Sequence, residues 1–365
     1  MGKGSGRLGI LTAGGDCQGL NAAVRAVVMT ATRTYGMEVI GFHDGFIGLE
    51  HNRYQSLTAA NVSGILGLGG TILGTGRGST KDSSSLEEVT QRCYAHYREL
   101  GLDVLVCLGG DGTQRFSRHL AGNTDMRVIT LPKTIDNDIK GTDACFGFDT
   151  ATQIAAEAID RLHTTASSHH RIMLVEVMGR NAGWLAAASG LAGEADAVII
   201  PEIPYRVDEL VEALQARRSA GRHYAVVVVA EGAMSDEEAR SGQRPKLHAA
   251  AVHLVDELEA RTGMETRLTS LGHVMRGGSP TATDRILATE LGTRAVELVD
   301  QGVFGVMVAK RSDRIVPVPL AEVAGQHRPL PLDHGLVRSL ALQGTFLGAA
   351  DACAPIHSHG ASVPA

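Results

Sequence analysis

Short apolar runs alternate with amphipathic stretches along almost the whole chain. Eight runs have strand length: LGILT (8–12), EVIGF (38–42), DVLVCL (103–108), RVITL (127–131), RIMLVEV (171–177), DAVII (196–200), HYAVVVVA (223–230) and FGVMVA (304–309). Their apolar character is continuous, as expected of strands buried on both faces of a parallel sheet. Helical spacing falls between them, near 20–34, 86–100, 149–165, 181–192, 207–219, 247–261 and 284–301. Such alternation predicts an α/β fold with doubly wound, mainly parallel sheets in three αβα layers. So many strands suggest two sheets, hence two Rossmann-like domains. The chain crosses from the first just after TIDND (134–138) and returns near RGGSP (276–280). Residues 326–365, richer in Pro, His and Gly, close the fold peripherally.

Composition narrows the function. At 365 residues and 44% hydrophobic, the chain has material for two cores. Its net charge of −6 argues against a nucleic-acid or membrane partner, either of which favours a basic patch. A small anionic ligand needs only a local cluster of arginines. The five cysteines (17, 93, 107, 145 and 353) are scattered, without a C-x-x-C pair. Neither a disulfide framework nor a zinc site is expected, and a cytoplasmic location fits. The N-terminal stretch lacks the apolar run of a signal peptide. The longest apolar run, AVVVVA (225–230), falls far short of the ~20 residues that span a membrane.

The 44 glycines change the picture more. Four Gly-Gly pairs occur, at 14–15, 69–70, 109–110 and 277–278. Two lie between a predicted strand and a helix: LTAGGDCQGLN (11–21) and CLGGDGT (107–113). A glycine turn there exposes backbone N–H groups, and the helix start adds a dipole that suits an anion. Asp111 sits among those amides, where a carboxylate can hold a Mg²⁺ that bridges phosphates. A plain tight turn would also use glycine. The repetition of G-G-D after two strands favours phosphate binding, although neither loop is a dinucleotide G-x-G-x-x-G or a P-loop.

Cations stand near other glycines. Arg171 and Arg180 flank one predicted strand, and ETRLTSLGHVMRGGSP (265–280) carries Arg267, His273 and Arg276. The planar fork of arginine suits phosphate oxygens. Lone arginines are usually solvated, but these sit at strand-to-loop junctions beside glycine, where this fold class binds ligands.

TAGGD (12–16), GGDGT (109–113), PKTIDND (132–138), VMGR (177–180) and LGHVMRGG (271–278) occur in the order found in the 6-phosphofructokinases, and the chain resembles that family from about residue 8 to 310. GGDGT alone is shared with NAD and lipid kinases; TIDND with MGR and GH-x-x-RGG is specific. The resemblance implies phosphoryl transfer to the 1-hydroxyl of fructose 6-phosphate by a homotetramer, or at least a homodimer. It implies a donor-binding domain of 1–147 with 275–325 and a sugar-phosphate domain of 148–274 with 326–365.

By the same resemblance Asp136 is the general base, Asp138 helps orient the site, and Thr134 binds the transferred phosphate and the substrate. Asp111 holds Mg²⁺. Gly15, Arg77, Gly110, Gly112, Thr113 and Lys133 face the donor. Met178, Gly179 and Glu231 contact the sugar, and Arg180 stabilises the transferring group. His273 and Arg276 hold the 6-phosphate, with Arg171 and Arg267 reaching in from a neighbouring subunit.

Two positions bear on the donor. Pyrophosphate users of the family commonly have aspartate where this chain has Gly112, and lysine where it has Lys133. A carboxylate against the α-phosphate would oppose ATP, and Gly112 removes that obstacle; a lysine attracts any polyphosphate. ATP is therefore expected, with pyrophosphate as the alternative. A non-catalytic sugar-phosphate sensor would have lost Asp136, Asp111 or Arg180, and all three are present. The family's anionic effector site keeps Arg25 and Arg222, but Met29, Ala59, His163, Ala220 and Tyr224 replace other cations and Asp196 takes the acidic position. Regulation of that kind is not expected.

Overall fold

The computed structural model describes residues 6–76, 85–242 and 248–352. They contain eleven strands: β1 (Arg7–Thr12), β2 (Glu38–Phe42), β3 (Tyr54–Leu57), β4 (Val104–Gly109), β5 (Val128–Pro132), β6 (Ile172–Val177), β7 (Ala197–Ile199), β8 (Ala225–Ala230), β9 (Thr266–Ser270), β10 (Val306–Arg311) and β11 (Arg314–Pro319). The chain divides into two compact units. One takes in the described residues of Met1–Thr150 and Arg276–His327; the other takes in those of Ala151–Met275 and Arg328–Ala365.

The first unit holds a seven-stranded sheet in the order β11-β10-β5-β4-β1-β2-β3. Its middle is parallel, and only the edge pairs β2–β3 and β10–β11 are antiparallel. Every residue of β4 and β5 is buried, which is why both read as unbroken apolar runs. The helix Leu20–Thr34 buries nine residues. It packs against Ala282–Asp300 so closely that a Cβ on Gly292 would lie 2.9 Å from the Ala23 carbonyl oxygen.

The second unit holds a four-stranded parallel sheet, β7-β8-β6-β9. Ile172, Leu174, Ile199, Val227, Val229, Leu254 and Leu258 form part of its core. The sequence-based α/β reading with mainly parallel sheets agrees with this architecture.

Three strands do not appear among the predicted runs. β3, β9 and β11 are sheet edges with mostly exposed or half-buried residues, so no apolar run marks them. β11 also contains Pro317 and Pro319, tolerated because an edge strand has unpaired N–H positions. The helix predicted from 181 begins at Trp184, with Gly183 as its N-cap donating its N–H to the Glu202 carboxylate at 2.9 Å. No helix among the described residues is long and apolar enough to cross a membrane.

Candidate functional site

In the first sheet, β1 and β4 are neighbours, but the chain leaves them in opposite directions across the sheet, toward β2 and toward β5. Doubly wound sheets bind ligands outside the carboxyl ends of strands at such a reversal. TAGGD follows β1 there and GGDGT follows β4. A cavity of about 590 Å³ lies between them, lined by Ala13–Asp16, Gly110, Gly112, Thr113, Lys133–Asp136 and Arg276, with others named below.

The glycines in these loops have specific causes. Gly14 has φ 82° and donates its N–H to the Gly76 carbonyl at 3.0 Å. A Cβ on Gly15 would lie 1.7 Å from Arg276 Nη1, so the guanidinium occupies the space a side chain would need. At Gly109 a Cβ would meet Thr113 Oγ1 at 2.0 Å, which fixes the turn that starts the helix Asp111–Asn123. Gly112 differs: an added Cβ meets nothing within 4 Å. Gly69, in another of the Gly-Gly pairs, serves packing. A Cβ on Gly69 would lie 2.2 Å from the Gly278 oxygen, so these backbones touch behind the Arg276 loop.

Lys133 is 4% exposed, and its ammonium donates to the Gly15 carbonyl oxygen. Burial, reinforced by the like charge of Arg276, pulls its pKa below the usual lysine range. The TIDND loop is pinned around it. The Asp136 N–H donates to Thr134 Oγ1 at 3.1 Å, and Asn137, at φ 51°, accepts the Cys145 N–H at 3.0 Å. Asp136 faces the cavity. Asp138 does not line it: its buried carboxyl lies 3.6 Å from His327, and burial pushes its pKa up. Cys17, next to this loop, has its thiol pushed up to about 12 by burial and is no nucleophile.

Asp111 begins its helix with one oxygen accepting the Gly325 N–H at 2.9 Å and the other 3.1 Å from Arg115 Nε. No cluster of three or more metal-ligating side chains occurs among the described residues. Mg²⁺ does not need one, since it binds through one or two carboxylates, waters and substrate phosphates. Asp111 does not itself line the cavity, but its neighbours Gly110, Gly112 and Thr113 do, and a lone carboxylate in that position fits such chemistry.

Sequence reasoning missed a second half of the cavity. Phe46, Leu86, Val89 and Phe116 make an apolar wall, with Phe46 and Phe116 edge to face at 4.7 Å between ring centroids. They come from three separate helices, and no local motif joins them. Asp16 and Arg115 line the cavity as well; both sit within or just after the two glycine motifs, which was the available signal.

The second unit carries its own set. Met178, Gly179 and Arg180 follow β6, Glu231 follows β8, and His273 follows β9, all at carboxyl ends of adjacent parallel strands. Gly179 has φ 128°, and a Cβ on Gly232 would lie 2.0 Å from the Arg180 carbonyl oxygen. The Glu231 N–H is held on Val177 O at 2.9 Å. Arg171 and Arg267 lie at the opposite, amino ends of β6 and β9 and both pair with Glu265. Asp196 is turned inward onto Arg217 and the Val226 N–H. Arg77 lies outside the described residues.

Known proteins bear on this arrangement. The phosphofructokinase family model matches residues 7–299. The ATP-dependent 6-phosphofructokinase of Propionibacterium freudenreichii is 47% identical, over 94% of this chain and 99% of its own length. ATP-dependent 6-phosphofructokinase 3 of Bacteroides thetaiotaomicron is 46% identical, over 94% and 98%. Among solved structures, phosphofructokinase from Saccharomyces cerevisiae superposes with a TM-score of 0.77 at 33% identity; 87% of this chain is covered, but only 45% of the yeast chain. A pyrophosphate-dependent phosphofructokinase from Marinobacter aquaeolei reaches 0.78 at 24% identity, over 99% and 93%, and shares the fold. Motifs, sheet topology and sequence identity lead to one conclusion: the chain belongs to the phosphofructokinase family.

Proposed function

We propose that this chain moves the terminal phosphoryl group of ATP to the 1-hydroxyl of D-fructose 6-phosphate, giving fructose 1,6-bisphosphate and ADP. The carrying observation is the two-part cavity of the first unit. Glycine loops and buried Lys133 suit phosphates, and the wall of Phe46, Leu86, Val89 and Phe116 suits a purine. Pyrophosphate has nothing apolar to place against that wall. Open space at Gly112 leaves room beside the α-phosphate, and both relatives above carry ATP in their names. Lys133, the one marker of pyrophosphate users, supports the alternative donor only weakly, because an ammonium attracts either polyphosphate.

The first unit takes the donor, and the sugar phosphate is taken by residues of the second together with Thr134, Asp136 and Arg276 of the first. The backbone N–H groups of Gly15 and Gly110–Thr113 hold the donor phosphates, with Arg77. Asp111 would hold Mg²⁺, which neutralises phosphate charge when bound. Asp136 accepts the proton of the sugar 1-hydroxyl as that oxygen bonds to the terminal phosphorus and the bond to the ADP oxygen breaks. Thr134 orients that phosphate, and Arg180 and Lys133 offset its charge. Asp138 steadies the loop from behind. Met178, Gly179 and Glu231 contact the sugar, and His273 and Arg276 take its 6-phosphate.

Arg171 and Arg267, at the far ends of their strands, complete a neighbour's site, so the active form is at least a dimer and by family a homotetramer. Cytoplasm is the expected compartment. A coupled assay with fructose 6-phosphate and either MgATP or Mg-pyrophosphate tests the reading. Turnover with pyrophosphate but not ATP would overturn the donor assignment, and turnover with neither would overturn the activity.

A further inference from the structure

One cavity residue has no part in the reaction above. Arg115 lines the cavity from the helix that also carries Phe116 of the apolar wall. Its side chain is 64% exposed, and its Nε lies 3.1 Å from Asp111 Oδ2. Its stem packs over Gly325, where an added Cβ would come within 3.4 Å of Arg115 Cδ. The Gly325 N–H holds the other Asp111 oxygen at 2.9 Å. Asp111 is thus held by a fixed amide on one side and an exchangeable guanidinium on the other. Lys133 and Arg276 meet the cavity elsewhere, at Gly15.

We infer that Arg115 is a donor-selecting residue that recognises the part of a nucleotide donor beyond its two terminal phosphates. This rests on the ATP reading of the cavity. The guanidinium is the exposed partner, while Asp111 is 13% exposed and stays held by Gly325, so it is the arginine that can leave the pair. A cation arriving at Asp111 competes for the carboxylate and releases the guanidinium, whose planar fork suits a phosphate oxygen. A two-phosphate donor seated at Gly15 and Lys133 has no further phosphate to offer. A nucleoside triphosphate has its α-phosphate, placed between the glycine loops and the apolar wall. Lys133 therefore serves either donor, and Arg115 serves the nucleotide alone.

The test is equilibrium binding by titration calorimetry, with MgATP and with Mg-pyrophosphate, on the full chain and on Arg115→Met and Arg115→Lys. Thermal unfolding of each is followed in parallel. Arg115→Met should weaken MgATP about 10-fold, the loss of one charge-assisted contact. Pyrophosphate binding should stay within about twofold and the unfolding temperature should not move. Arg115→Lys should recover part of the ATP affinity. Equal weakening of both donors would overturn the inference in favour of a general charge effect, and unchanged ATP affinity would reduce Arg115 to a solvated helix pair. Wild-type turnover separates the two levels. ATP turnover with an indifferent Arg115→Met sinks only this inference, whereas turnover with pyrophosphate alone sinks the donor reading beneath it.

Discussion

The two sheets solve the same problem with different materials. At the carboxyl ends of β1 and β4 the first unit offers mainly backbone: Gly14, Gly15, Gly109, Gly110 and Gly112, with side chains such as Arg276 filling space that glycine leaves. At the carboxyl ends of β6, β8 and β9 the second unit offers long side chains: Met178, Arg180, Glu231 and His273. A backbone-built site selects by room, so its response to an added side chain depends on what that side chain would meet, which is nothing at Gly112 and the end of Arg276 at Gly15. A site built of side chains selects by charge, so it fails when a charge is removed.

The largest effect should come from removing the group that takes a proton. Asp136→Asn should lower kcat by ~10²–10⁴ with little change in either KM, because general-base catalysis contributes that much and binding does not depend on it. Steady-state kinetics decide this; a variant keeping half of wild-type kcat removes Asp136 as the base.

Next, Gly112→Asp probes room directly. An added Cβ there touches nothing, so the variant should fold normally. Its carboxylate should lower kcat/KM for ATP by roughly 30- to 1,000-fold, from ~2–4 kcal/mol of repulsion at an effective dielectric near 20. Any pyrophosphate activity should suffer far less, and equal loss with both donors would show that space at 112 does not sort them.

Gly15→Ala should be milder. The new Cβ would collide with the far end of Arg276, a flexible side chain that should swing away and leave the backbone in place. Losing that charge-assisted contact should raise the KM for fructose 6-phosphate ~10- to 100-fold. An unchanged KM would mean that Arg276 does not hold the sugar phosphate.

The smallest effect is on stability. Burial lowers the Lys133 pKa, so the folded state binds this proton less tightly than the unfolded chain does. The cost of the buried charge is full below the lowered pKa and disappears as pH rises through it toward the ordinary 10.5. Lys133→Met should therefore be more stable than wild type at neutral pH, with the gap closing at alkaline pH as followed by denaturant unfolding, while losing donor affinity. A gap that widens with pH would contradict the sign.

Which parts were legible follows the same division. TAGGD, GGDGT and TIDND could be read because their requirements are local: a turn, an amide, a carboxylate next to a strand end. The central strands could be read because burial on both faces leaves an unbroken apolar run, as in β4, β5 and β8. Edge strands such as β9 could not, since one flank faces solvent and their residues are polar. The apolar wall was invisible because Phe46, Leu86 and Phe116 look like ordinary core residues until the fold joins them. Glycine was ambiguous for a related reason: Gly69 and Gly278 look like a ligand loop in sequence and turn out to be two backbones in contact.

The split course of the first unit also sets a timetable for its birth on the ribosome. Ala151–Met275 is interposed between its two pieces. At ~5–20 residues per second, roughly 7 to 30 seconds pass between the emergence of β5 and that of Arg276. Throughout that interval β5 lacks its partner β10, and the apolar face of Leu20–Thr34 lacks the helix Ala282–Asp300. A nascent chain arrested at Met275 should accordingly leave the first unit open to protease. Until β10 arrives, the edge of β5 is an unpaired strand edge open to non-native pairing.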